Sequence, residues 1–421
     1  MSEEPAVSSR RAPPSVSALS VDAHEAGSLH LLLAEAHRWR GSLSEAERSA
    51  SQAMAALPVG SVRWYRAVNE AILSSGRLGN ADRVAEAIEL VRAESDEASN
   101  AELKVMSLAR AIAELLNAGR YELADALLAE LDAIAARFQI TDPATLARTQ
   151  GTRARRALVL GDLGAFLGLT VEALVGFEST GHLRVACNLR VSVGYAQLQL
   201  GAYAEAERTL REALIEADRL GLSGVSPSAK ENLGMALAGQ ERWSEARAFA
   251  VEAVEAFRGQ GHRRMEAGAL IYLALMLSMS GDLEAAEREA RAAVAVDPPP
   301  PIRAHALATL AEILLKRGDP AAALTAAREA IDLLDTLGAL EEGEALVRLV
   351  YAEALRASTD RRAASAILDA RDHLLARAAK IRDPVLRRSF LERVPENART
   401  VDRAREWAAE APPAILAPLH P

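Results

Sequence analysis

Apolar residues along the chain recur at three- and four-residue spacing, which is the period of an amphipathic helix. They come in paired blocks separated by one glycine. The stretch Val193 to Leu214, VGYAQLQLGAYAEAERTLREAL, shows the pattern in full. Two helices joined by a tight turn are predicted. Small Gly194 allows a neighbour to approach closely, and Gly201 closes the first helix. Tyr203 fills the turn, Ala206 sits at the crossing, and Leu210 and Ala213 continue the apolar face of the second helix. β-branched residues never alternate in runs, so no sheet is expected.

The turn position recurs at Gly41, Gly76, Gly119, Gly161, Gly201, Glu241, Gly281, Gly318 and Thr359. The intervals are 35, 43, 42, 40, 40, 40, 37 and 41 residues. Five residues later stand Ala46, Ala81, Ala124, Phe166, Ala206, Ala246, Ala286, Ala323 and Ala364. A small side chain there lets two helices cross at short range. Two residues after the turn a larger group plugs the joint: Leu43, Leu78, Tyr121, Leu163, Tyr203, Trp243 and Leu283. Most repeats carry a small residue seven before the turn, as at Ala34, Ala154, Gly194, Gly234 and Ala274.

This order of small, turn, bulky and crossing residues resembles the tetratricopeptide (TPR) repeat. Residues 267–298 even end in VDP, as that consensus does. The period near 40 resembles a longer-helix variant found in bacterial signalling ATPases, kinase-linked regions and transcriptional regulators. The resemblance implies an all-α chain, an α-solenoid of about nine antiparallel helix-hairpin repeats forming a right-handed superhelix. Residues 1–22 form a Ser- and Pro-rich tail expected to be disordered, and 23–380 form the superhelical domain. Residues 381–410 form C-terminal capping helices, and 411–421 a second tail. Asp383-Pro384 and Pro395 are the expected starts of those capping helices. Their sequence resembles the ends of TPR regions in myxobacterial and actinobacterial signalling proteins. That resemblance implies the repeat half of a kinase- or ATPase-containing system. Phe166 in place of the crossing alanine predicts a distorted hairpin, and Thr359 predicts a looser one. Hinges are expected at 96–100, 221–228 and 297–301, the last stiffened by four prolines.

Composition adds limits. Half of the 421 residues are hydrophobic but only 4% are aromatic, which suits alanine-rich helix layers. A net charge of −9 argues against nucleic-acid binding. The single cysteine, Cys187, excludes an intrachain disulfide and suggests a reducing compartment. The first twenty residues contain no signal-peptide core, and no apolar run is long enough to span a membrane. A cytoplasmic protein with no membrane insertion is expected.

No motif carries catalytic chemistry. GxxxxGK[ST], GxGxxG after a strand, HExxH and CxxC are all absent. His24, His30 and His37 with Glu35 are ordinary helix-surface residues on this reading, and Cys187 is a buried, inert thiol. No enzyme, metal or cofactor is expected.

A helix-hairpin solenoid offers instead a concave face lined by first helices. By family analogy its groove positions lie thirteen, ten and six residues before each turn. They are Arg148, Gly151 and Arg155, then Asn188, Val191 and Tyr195, then Ser228, Glu231 and Met235. Glu312 and Glu353 make the groove acidic further on. The candidate binding residues are Arg148, Arg155, Asn188, Tyr195, Glu231 and Met235. Arginine there suits an acidic segment, because its fork takes a carboxylate in two bonds. The Lys–Asn pattern that clamps C-terminal carboxylates in some TPR proteins is absent. The expected function is a non-enzymatic scaffold or adaptor that binds a protein or peptide, with a signalling kinase or ATPase as the expected partner. The alternative is a ligand- or peptide-sensing regulator whose solenoid changes shape on binding. Exposed apolar faces at the solenoid ends leave self-association open.

Overall fold

Each hairpin turn closes where its sequence demands a left-handed residue. Gly41, Gly119, Gly161, Gly201, Gly281 and Gly318 all adopt positive φ, and so do Glu241 and Thr359, where glycine is missing. In a computed structural model, residues 23–410 are described. They form 20 helices and, among these residues, no strand. Helices α1 (Ala23–Arg40) to α18 (Ala363–Lys380) pair as nine hairpins, and α19 (Pro384–Glu392) and α20 (Pro395–Glu410) follow. Both tails lie outside the described residues.

The turn of the second hairpin is Gly79, with φ of +81°, and not Gly76. Gly76 lies within α3 (Val62–Arg77), where an added Cβ would meet Glu114 Cγ at 2.5 Å. The misplacement arose because that helix holds a glycine for a packing reason three residues ahead of the turn. With Gly79 the uneven intervals of 35 and 43 become 38 and 40. The crossing residue becomes buried Val84, while Ala81 opens α4 (Ala81–Ala93).

Elsewhere the crossing is as small as expected. Ala46, Ala206, Ala246, Ala286 and Ala323 are fully buried. A Cβ on Gly194 would stand 2.5 Å from Leu210 Cγ, and one on Gly234 would stand 3.0 Å from the Ala246 carbonyl oxygen. Phe166 distorts nothing. The helices α7 (Pro143–Val159) and α8 (Leu163–Ser179) are both unbroken, and the Phe166 ring, in one core cluster with Ala154 and Leu158, packs edge-on against Tyr195 at 6.1 Å. The proline hinge is shorter than expected: residues 297–299 link the helices, with Pro299 extended at φ −53° and ψ 151°. Pro300 and Pro301 occupy the first turn of α15 (Pro300–Lys316), where a missing N–H costs nothing. Asp383 caps α19 by accepting from Val385 N (2.7 Å) and Leu386 N (3.1 Å).

The winding is tight, and four of the turns meet the element five hairpins on. Gly41 of the first hairpin touches Gln260 of the sixth, Gly119 of the third touches Pro301 and Leu337 of the eighth, and Gly161 of the fourth touches Arg377 of the ninth. Gly201 of the fifth hairpin reaches Ser389 in α19, where Tyr203 Oη also donates to the Arg393 carbonyl (3.0 Å). The concave face is therefore drawn round a central axis and closes on itself.

Candidate functional site

First helices supply the inner wall, because in a hairpin stack the second helices form the outer layer. On the axis they enclose a cavity of about 330 Å³. Its wall includes Arg38, Arg77, Arg110, Arg148, Arg155 and Arg264, which come from five first helices. Of the six sequence-predicted groove residues, Arg148, Arg155, Asn188, Tyr195 and Glu231 line this cavity. Met235 instead lines a smaller neighbouring cavity of about 160 Å³, with Tyr203, His305 and Arg399.

The acidic stretch of groove is covered. Arg399 of α20 pairs with Glu312 (2.7 Å) and Glu353 (3.2 Å), and Arg403 also reaches Glu353 (3.3 Å). The C-terminal helix thus fills the acidic part of the concave face with its own arginines.

The segment between α16 (Pro320–Leu337) and α17 (Glu344–Ala357) enters the axis from the other side. It is bracketed by Gly338 and Gly343, both at positive φ. A side chain at Gly343 would meet the His305 ring at 2.5 Å, so only glycine lets this strap pass. Leu340 anchors it in the core. Glu341 pairs with Arg264 and stands 3.6 Å from Arg155. Glu342 accepts from Tyr195 Oη (3.0 Å), Gln199 Nε2 (2.7 Å) and Tyr272 Oη (2.5 Å). Sequence reasoning passed over this strap, since a turn segment between hairpins carries no helical periodicity. Its visible signal is an acidic pair held between two glycines.

Burial shapes the electrostatics. Glu231 is 5% exposed, and desolvation together with Glu342 raises its pKa to about 8. Burial likewise raises Glu114, against the pull of Arg77 and Arg155. Arg148 is pushed down to about 9, by desolvation first and then by Arg110 and Arg38. Its guanidinium lies 4.9 Å from the centre of the Phe177 ring. Arg155 donates to Asn117 Oδ1 (3.0 Å). The cavity is thus charge-rich, and its wall suits polar groups. Hydrogen bonds and ion pairs are worth more there than in water.

The other sequence candidates lie apart. Cys187 is buried, donates weakly to the Ala213 carbonyl (3.4 Å), and has its thiol pKa raised by burial. His24 contacts Arg63 at 3.1 Å on α1. Among the described residues no three His, Cys, Asp or Glu side chains gather as metal ligands. Among them, too, no helix is long and apolar enough to cross a membrane.

No family model and no curated protein matches the chain. Solved structures do. A Rap protein complexed with competence and sporulation factor superposes with a TM-score of 0.59 at 14% identity, covering 81% of this chain and 98% of that one. NprR in complex with its cognate peptide NprX gives 0.54 at 12% identity, covering 81% and 97%. These likenesses establish a TPR-like helical-repeat fold over most of the chain.

Proposed function

We propose that the chain is a non-enzymatic regulatory protein that receives a short peptide in its central cavity and passes on the resulting change of winding. The carrying observation is the recessed, charge-lined cavity on the superhelix axis. A continuous surface groove would suit a long partner segment, whereas a recessed polar cavity in the size range of ligand sites, about 300–1,000 Å³, suits a small occupant. Two proteins of the same fold were solved in complex, one with competence and sporulation factor and one with its cognate peptide, which supports the reading. Contacts between hairpins five places apart link the chamber to the winding. An occupant that prefers one pitch shifts the population towards it. The responding component is a signalling partner, such as a kinase or ATPase, on the outer helices, and the setting is the cytoplasm.

The test is selection from a random hexapeptide pool, followed by fluorescence anisotropy on the wild type and on Ser228→Trp, which fills the cavity from α11 (Ser226–Ala238). The expected result is an enriched peptide whose affinity falls at least about tenfold in the variant, more than 1.4 kcal/mol, with unchanged melting. Absence of any enriched peptide, or equal binding by both proteins, overturns the reading.

A further inference from the structure

Six arginines face the cavity, and three of them meet a carboxylate of the chain within ion-pair distance. Glu70 takes Arg38 in two bonds, at 2.5 and 3.1 Å. Glu341 serves both Arg155 and Arg264. Arg77 makes no such pair among the described residues, but Glu114, which lies against the neighbouring Gly76, is the largest counter-charge acting on it.

Arg110 and Arg148 are different. Among the described residues neither has a carboxylate oxygen within ion-pair distance, and the Nε of each is buried without a hydrogen-bond partner. The carboxylates that act on Arg110 are Glu70, already held by Arg38, and Glu35, which pairs with Arg66 at 2.6 Å. The charged groups acting on Arg148 are both cations, Arg110 and Arg38. The two guanidinium groups stand on adjoining first helices, α5 (Ala101–Asn117) and α7. Those helices are joined by Thr152 Oγ1 donating to the Ala109 carbonyl (3.3 Å). Both side chains line the same chamber.

Two guanidinium groups drawn out of bulk water side by side oppose folding unless something neutralises them. Groups arranged against stability in this way are common at sites that bind. Resting on the peptide-in-cavity reading, we infer that Arg110 and Arg148 form an anion subsite of the central cavity that takes a carboxylate of the bound peptide. A carboxylate fits better than a phosphate. The occupied arginines of the same wall, Arg38, Arg155 and Arg264, are all met by carboxylates, and a planar fork matches a planar carboxylate in two bonds. The ligand class is therefore an acidic peptide, with an Asp or Glu side chain or its C-terminus at this pair. The strap residue Glu341 meets Arg155 and Arg264 in the same manner, from within the chain.

The probes are triglutamate, trilysine and inorganic phosphate, titrated calorimetrically into the full chain and into Arg110→Met/Arg148→Met. Triglutamate should bind the wild type, weaken with added salt, and bind the double variant at least about tenfold more weakly. Trilysine should not bind. The double variant should also melt about 2–4 °C higher, because it loses two unpaired, half-buried charges. A purely structural role would lower the melting temperature instead, and that result overturns the proposal. Arg148→Lys, which keeps the charge but loses the fork, should bind several-fold more weakly and fold normally. Equal binding by wild type and Arg148→Lys overturns it even if the double variant misfolds. Binding of phosphate without triglutamate overturns the carboxylate assignment. Hexapeptides that enter the cavity but bind the double variant as well as the wild type sink this subsite while leaving the peptide reading intact.

Discussion

At the scale of single residues, the cavity concentrates groups whose charge the fold penalises. Glu231 shows the sign of the effect. Its carboxyl is raised to about 8 in the folded chain by burial and by Glu342, with Arg264 opposing. The folded state therefore favours the proton. The associated stability is fully present below the unfolded pKa of about 4.3 and is lost as pH rises through about 8. Glu231→Gln removes this dependence. In urea denaturation the variant should match the wild type near pH 4 and exceed it near pH 8.5 by on the order of 5 kcal/mol. Parallel stabilities at both pH values would show that Glu231 is solvated rather than held in the wall. The sequence located this residue through its place ten before a turn, and the structure puts it in the chamber with Arg148, Arg155, Asn188 and Tyr195. Arg110, Arg38 and Arg264 were not singled out. In an arginine-rich chain, which arginines lose water is decided by winding, and winding leaves no local mark.

At the scale of the element, the repeat was legible because hairpin packing is local. Glycine or a polar residue at positive φ, a small residue at the crossing and a plug after the turn all follow from contacts within about 40 residues. Gly194 tests that logic. Its missing Cβ leaves room for Leu210, so Gly194→Val should overpack the fifth hairpin and cost roughly 1–3 kcal/mol in chemical denaturation. A loss under about 0.5 kcal/mol, typical of surface changes, would mean the helices approach less closely than the crossing requires. The misplaced second turn has the same physical root. Gly76 is small for the sake of Glu114 in the next repeat, and periodicity cannot separate that need from a turn. The strap from Gly338 to Gly343 and the cover of α20 over Glu312 and Glu353 escaped the sequence for a different reason. Both depend on contacts between segments far apart in the chain, such as Tyr195 with Glu342 and Arg399 with Glu312.

At the scale of the whole molecule, the proposed function depends on the five-hairpin pitch. Solenoid stability is built from neighbouring repeats, so contacts between distant turns are additions that an occupant of the axis can strengthen or loosen. The link at the N-terminal end has a single long hydrogen bond, Ser223 Oγ to the Trp39 carbonyl at 3.4 Å, beside the Trp39 ring under Arg184 and Gln260 on Gly41. The C-terminal link is richer, with Lys380 Nζ donating to the Leu160 carbonyl at 2.8 Å and Tyr203 held at Arg393. Opening is therefore expected at the N-terminal seam. The decisive measurement is amide hydrogen exchange by mass spectrometry on the full chain, with and without a peptide enriched from the hexapeptide pool. Slower exchange should appear in the first helices α5, α7, α9 (Leu183–Gln199) and α11 and in the strap, together with a change at the seam of Trp39, Ser223 and Gln260. Protection confined to the outer second helices, with the inner wall unchanged, would place the ligand outside the chamber and contradict a central binding site.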